Sequence, residues 1–62
     1  MDYMKNARKR RNLTQKQLAR MLNLSASIIS LYENDRRTPC VDTAKLIAGA
    51  LGFKWTRFFE SE

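Results

Sequence analysis

The chain has no histidine and a single cysteine, Cys40, among its 62 residues. No disulfide can form within it, and a zinc site has nothing to build on. One proline and two glycines leave most of the chain free to be helical. Val, Ile and Thr are sparse and show no alternating run, which argues against strands. No stretch approaches the roughly 20 apolar residues of a membrane span, and the basic N-terminus lacks an apolar signal core. The expected compartment is therefore the cytoplasm, with no membrane partner. Nucleophile–base pairs and phosphate-cradling glycine loops are also missing, so an enzyme is not expected. Neither a cofactor nor a small-molecule ligand is expected, because a chain of this length is one domain over 1–62 with no room for a sensor domain.

What is present is positive charge, unevenly placed. Twelve Lys and Arg face six Asp and Glu, for a formal net charge of +6. Lys5, Arg8, Lys9, Arg10, Arg11, Lys16 and Arg20 stand against Asp2 alone in residues 1–20, whereas basic and acidic residues cancel in 21–62. A basic end on a small domain points to a polyanion, with a merely solubilising face as the plainer reading.

Punctuation divides the chain into five short helices. The first covers about 2–11, with Met4, Ala7, Tyr3 and the stem of Arg11 facing inward. Asn12 tolerates the left-handed conformation that ends a helix. Thr14 is a good N-cap for a second helix over 15–22, in which Leu18, Ala19 and Leu22 share a face. Asn23-Leu24 make a short turn, and Ser25 caps a third helix over 26–33. Residues 34–39 read as a loop. A fourth helix over 41–51 gathers Val41, Ala44, Ile47, Ala48 and Leu51 on one face and ends at Gly52. Residues 53–59 are expected to form a last short helix, rich in aromatics.

The stretch T-Q-K-Q-L-A-R-M-L-N-L-S-A-S-I-I-S-L-Y-E-N, residues 14–34, sets two capped helices across a very short turn. This is the outline of a DNA-reading pair, in which the first helix braces the second and leaves its outer face free for the major groove. At about 100° per residue, Ile29 and Tyr32 point one way with Ile28 at the edge. Ala26, Ser27, Ser30 and Leu31 point the other way. That outer set is small or uncharged, as a groove-facing surface requires.

Here the chain resembles the Cro/repressor-type (XRE-like) helix-turn-helix family, from about Met4 to Phe59. The pieces that carry the resemblance are L-T-Q-x-x-L-A at 13–19, L-S-x-S-x-I-S-x-x-E-N at 24–34, a basic R-R-x-P loop, and I-A-x-A-L-G at 47–52. The resemblance implies an all-α, compact bundle of five short helices, a lambda-repressor-like DNA-binding domain. It implies double-stranded DNA as partner, with Gln15 and Thr14 at phosphates, while Ser25 reads first as a cap, with a phosphate bond through its backbone N–H as the sharper reading. Ala26, Ser27 and Leu31 fall at the base-reading positions with Ser30 beside them; by its own chemistry Leu31 is either one exposed Leu or, in the sharper reading, a contact to a thymine methyl. Asn34, Arg36 and Arg37 match a second phosphate clamp. Arg8 and Glu33 match a structural ion pair between the first helix and the reading helix. Lys9, Arg10 and Arg11 are expected to steer DNA at long range.

The chain departs from the family pattern in several places. Ala26, Ser27 and Leu31 stand where Gln, Arg or Asn is common, so bidentate recognition of G or A is not available. Asp35 stands where Gly is common. Lys54 and Cys40 replace Ser-type caps, and a thiol caps poorly. A redox role for Cys40 is the sharper alternative to a bystander thiol.

A homodimer is expected through the C-terminal third. Leu46, Gly49 and Ala50 lie opposite the core face of the fourth helix, with Trp55 and Phe58 extending the patch. Gly49 within a helix costs about 1 kcal/mol relative to Ala, which suggests close backbone approach. The expected function is a transcriptional repressor or Cro-like switch on a palindromic operator. The alternatives are an antitoxin or the controller of a restriction–modification system, a protein-interaction module that keeps the fold, and a membrane-active basic peptide.

Overall fold

The computed structural model describes residues 2–60. Four α-helices and one 3-10 turn follow in order: α1 (Asp2–Arg10), α2 (Gln15–Leu22), α3 (Ala26–Glu33), α4 (Val41–Leu51) and the turn Trp55–Phe59. No strand occurs among the described residues, and no helix there is long and apolar enough to cross a membrane.

The helix ends follow from their side chains. Thr14 and Gln17 form a reciprocal capping box: the Gln17 N–H donates to Thr14 Oγ1 at 3.0 Å, and the Thr14 N–H donates to Gln17 Oε1 at 2.8 Å. Two donors that the first turn of α2 cannot satisfy internally are thereby satisfied. Asn23 closes α2 at φ 57°, and the Leu24 N–H reaches back to the Ala19 carbonyl at 2.8 Å. Ser25 then opens α3, its Oγ accepting from the Ile28 N–H at 3.1 Å. Asn12 and Asp35 also sit at φ 57°. A short polar side chain tolerates this left-handed geometry better than most residues do. At Asp35 it fits the resemblance's expectation of Gly or another small residue there.

The core joins all of these elements. Met4, Leu18, Ile29, Ala44 and Ile47 are completely buried, with Leu51 and Phe58 nearly so. Each large apolar side chain buried in this way contributes roughly 1.5–3 kcal/mol. Tyr3, Phe53 and Phe58 close the end of the core with ring centroids 5.4–5.7 Å apart.

Several expectations need correction. The last element is a 3-10 turn of five residues rather than an α-helix. Lys54 occupies its N-cap and makes no capping bond, as a side chain with donors only cannot. Arg11, whose stem was expected to face inward, is exposed; Arg8, expected to pair with Glu33, is buried. Val41, expected on the core face, is 44% exposed, and Ala44 is the first buried residue of α4. Phe58, assigned to the dimer patch, is a core residue. A 3-10 turn has three residues per turn, so Trp55 and Phe58 align on the inner side and Phe59 turns outward.

Candidate nucleic-acid interface

The surface formed by α2, α3 and the following loop rests on one buried carboxylate. Glu33 accepts from Arg8 Nε at 2.7 Å through Oε2 and from Arg8 Nη2 at 3.1 Å through Oε1, a bidentate pair. Arg8 Nη1 also donates to the Leu13 carbonyl at 2.8 Å. Gln15 Nε2 donates to Glu33 Oε1 at 3.1 Å. One side chain of α3 therefore ties together α1, the α1–α2 corner and the first residue of α2. Desolvation alone would raise the Glu33 pKa, but the Arg8 and Gln15 hydrogen bonds and the Arg8 charge outweigh it. The carboxyl is held below its ordinary 4.5. No buried side-chain nitrogen or oxygen among the described residues lacks a partner.

With Glu33 drawn inward, the outer face of α3 carries no acid. Ser27 and Leu31 are exposed, Ala26 and Ser30 are half-buried, and Ile29 and Tyr32 fill the core. Thr14 and the half-buried Gln15 stand at the free N-terminus of α2, where backbone N–H groups suit an anion. Asn34 ends α3 with Nδ2 donating to the Ser30 carbonyl at 2.8 Å and to Ser30 Oγ at 3.2 Å. Arg36 and Arg37 follow in the loop, both exposed and without an ion pair to any described residue. The site residues expected between Thr14 and Arg37 thus fall on two capped helices and their connections.

Other expected residues lie elsewhere. Arg10 and Arg11 line a cleft of about 550 Å³ with Tyr3, Asn6, Phe53 and Arg57, and no residue of α2 or α3 lines it. Cys40 is exposed and makes no capping bond. Its Sγ lies 3.2 Å from Thr43 Oγ1, and hydrogen bonds donated by Thr43 to the thiolate lower its pKa. On α4, Leu46 is 55% exposed, and a Cβ added at Gly49 would meet nothing within 4 Å. Ala50 and Trp55 are half-buried against the core, and the Lys45 ammonium lies 5.1 Å from the Trp55 ring centroid. Phe59, 46% exposed, takes the outward place expected of Phe58.

Sequence reasoning missed two functional links. The Gln15–Glu33 bond spans 18 residues and leaves no local signal. The Gln17 half of the capping box does leave one, in the spacing Thr14-x-x-Gln17.

A helix-turn-helix family model matches residues 4–58. The immunity repressor protein of Bacillus phage phi105 is 48% identical over 50 residues, covering 81% of this chain and 35% of that protein. YqaF of Bacillus subtilis (strain 168), an uncharacterized HTH-type transcriptional regulator, is 34% identical over 58 residues, covering 94% of this chain and 76% of that one. The chain thus spans about a third of the phage repressor's length and about three quarters of the regulator's. No solved structure matches it.

Proposed function

The chain belongs to the XRE-type helix-turn-helix family, whose members are DNA-binding regulators of transcription and not enzymes, and from that premise we propose that it is a repressor binding a palindromic operator as a homodimer. The observation that carries the reading is the outer face of α3. It is free of acid and of bulky charge, and it is braced by a capped α2 and a buried ion pair. Thr14, Gln15, Ser25, Asn34, Arg36 and Arg37 hold the DNA backbone. Ala26, Ser27, Ser30 and Leu31 face the bases. One long apolar side chain among small hydroxyls favours thymine methyls and sequence-dependent shape over paired-amide readout. The likeness to a phage immunity repressor supports repression as the outcome.

Dimerisation runs through Leu46, Gly49, Ala50 and Trp55, with Phe59 completing the patch in place of Phe58. A two-fold axis there sets the two reading helices one DNA turn, about 34 Å, apart.

Binding-site selection on random duplex DNA, followed by sizing of the complex, tests the whole reading. The expected result is an inverted repeat bound by two chains. Arg36→Ala is expected to weaken all duplexes about equally and to reduce the salt slope by roughly 1. Leu46→Glu is expected to abolish the dimer in sedimentation while helicity is retained. A mutant that still dimerises and binds as tightly as the original removes Leu46 from the interface.

A further inference from the structure

The cleft between α1, the end of α4 and the last turn gathers three guanidiniums. Arg10 and Arg11 reach it from the end of α1, and Arg57 from the 3-10 turn. Like charges round one concavity repel each other, so their placement there needs a cause. Two of the three are held by partners that use none of their N–H groups. The Arg57 guanidinium carbon lies 4.7 Å from the Tyr3 ring centroid. Arg11 lies over the bare backbone of Gly52, where an added Cβ would stand 2.5 Å from Nη2. Gly52 ends α4, so this guanidinium also sits at the negative end of a helix dipole. No ion pair or side-chain hydrogen bond joins Arg10, Arg11 or Arg57 to another described residue. Asp35 and Glu60, the carboxylates that act on Tyr3 through space, do not line the cleft. Arg8 is the contrast, with its donors spent on Glu33 and on the Leu13 carbonyl.

We propose that this cleft binds a small phosphate ester of nucleotide size, with its phosphates between Arg10, Arg11 and Arg57. A guanidinium fork matches phosphate and carboxylate alike, but three forks exceed the two oxygens of one carboxylate and suit a diphosphate. The volume of about 550 Å³ falls among small-molecule sites, roughly 300–1,000 Å³, whereas a stable protein partner covers roughly 800 Å² on each side. Leu51 and Phe53 give the cleft an apolar wall for the rest of the ligand. The DNA backbone is another source of phosphate, but no residue of α2 or α3 lines the cleft. No small-molecule ligand is expected from the sequence, because the three arginines come together only in the fold. The inference does not depend on α3 being the reading helix.

The test titrates the full chain with ADP, pyrophosphate and succinate at physiological salt, followed in ¹H–¹⁵N spectra that include the arginine Nε–H groups. ADP is expected to saturate and to move the Arg11, Gly52 and Arg57 signals. Arg11→Gln and Arg57→Gln should each weaken ADP by about tenfold, as loss of one charged hydrogen-bonding partner does. Lys16→Gln removes the same charge from an exposed position outside the cleft and should change the affinity by less than about twofold. Equal losses in all three variants reduce the effect to net charge and overturn the site. Shifts confined to α2 and α3 place the phosphates on the DNA surface and overturn it as well. Succinate bound as tightly as ADP overturns the phosphate class, and pyrophosphate bound as tightly overturns the use of the apolar wall. A short duplex that leaves the ADP shifts of Arg57 in place supports a separate site, whereas one that abolishes them makes the cleft a DNA contact and overturns the proposal. A protein that binds no duplex at all defeats the DNA reading alone, and the ADP titration still decides the cleft.

Discussion

Two corners of this molecule share one backbone course and differ in a single capping side chain. Between α2 and α3, Asn23 turns left-handed at φ 57° and Ser25 is extended at φ −87° and ψ 150°. Between α4 and the 3-10 turn, Gly52 turns left-handed at φ 81° and Lys54 is extended at φ −76° and ψ 130°. Each corner spans three residues. Ser25 accepts the Ile28 N–H and an eight-residue α-helix follows, while Lys54 accepts nothing and a five-residue 3-10 turn follows. What holds the second corner is aromatic packing. The N-terminal half is thus organised by directed hydrogen bonds, which set side-chain orientation. The C-terminal half is organised by apolar burial, which supplies cohesion.

The largest test breaks the polar side. Arg8→Ala would leave Glu33 buried without its main partner and should cost about 3–5 kcal/mol, measured by urea unfolding. That is comparable to the whole stability of a 62-residue domain, about 3–9 kcal/mol. The same pair predicts an acid dependence. Because the folded Glu33 pKa lies below its ordinary 4.5, the pair's contribution is complete above that value and is lost as pH falls through the lowered one. Loss of this acid-dependent portion in Arg8→Ala would tie it to the pair. An unchanged profile would assign it elsewhere.

The next test breaks the apolar side. Phe58→Ala should destabilise by about 3 kcal/mol, whereas Phe59→Ala should cost less than about 0.5 kcal/mol. Equal melting shifts for the two variants would contradict the inward–outward assignment. The smallest test exchanges the caps. Ser25→Ala should cost about 1 kcal/mol, and Lys54→Ser should gain about 0.5 kcal/mol with an increase in helical circular dichroism. If Lys54→Ser changes neither signal, the aromatic packing rather than the missing cap keeps the last element in 3-10 form.

The comparison also explains how much was legible beforehand. Helix ends depend on neighbours within four residues, so Asn12, Thr14, Asn23, Ser25 and Gly52 marked them from sequence alone. Three helices run over the expected residues, and α1 stops one residue short of its expected end. The inward face of a long helix was legible too, because Ala44, Ile47, Ala48 and Leu51 repeat at helical spacing. Choices that depend on distant partners were not. The stem of Arg11 was expected inward and is exposed, and the inward Arg8 was matched to Glu33 only through the family resemblance, not by any local signal. The choice between Phe58 and Phe59 depends on a switch from 3.6 to three residues per turn, which adjacent identical residues cannot signal. Val41 fitted the apolar stripe of α4 and is nevertheless exposed.

The left-handed residues Asn12 and Asn23 keep the first two connections short; α2 packs against α3 and α4 against the 3-10 turn, while α1 packs across α3 and α4. Such local topology favours rapid assembly, in microseconds to milliseconds. The Arg8–Glu33 tie is one of the longer-range links, joining residues 25 apart. It is expected to act as a late-forming latch rather than part of the folding nucleus. Its removal should then accelerate unfolding far more than it slows folding, a split that the two arms of a stopped-flow chevron would read separately. A folding arm slowed as much as the unfolding arm is hastened would place the latch in the nucleus instead.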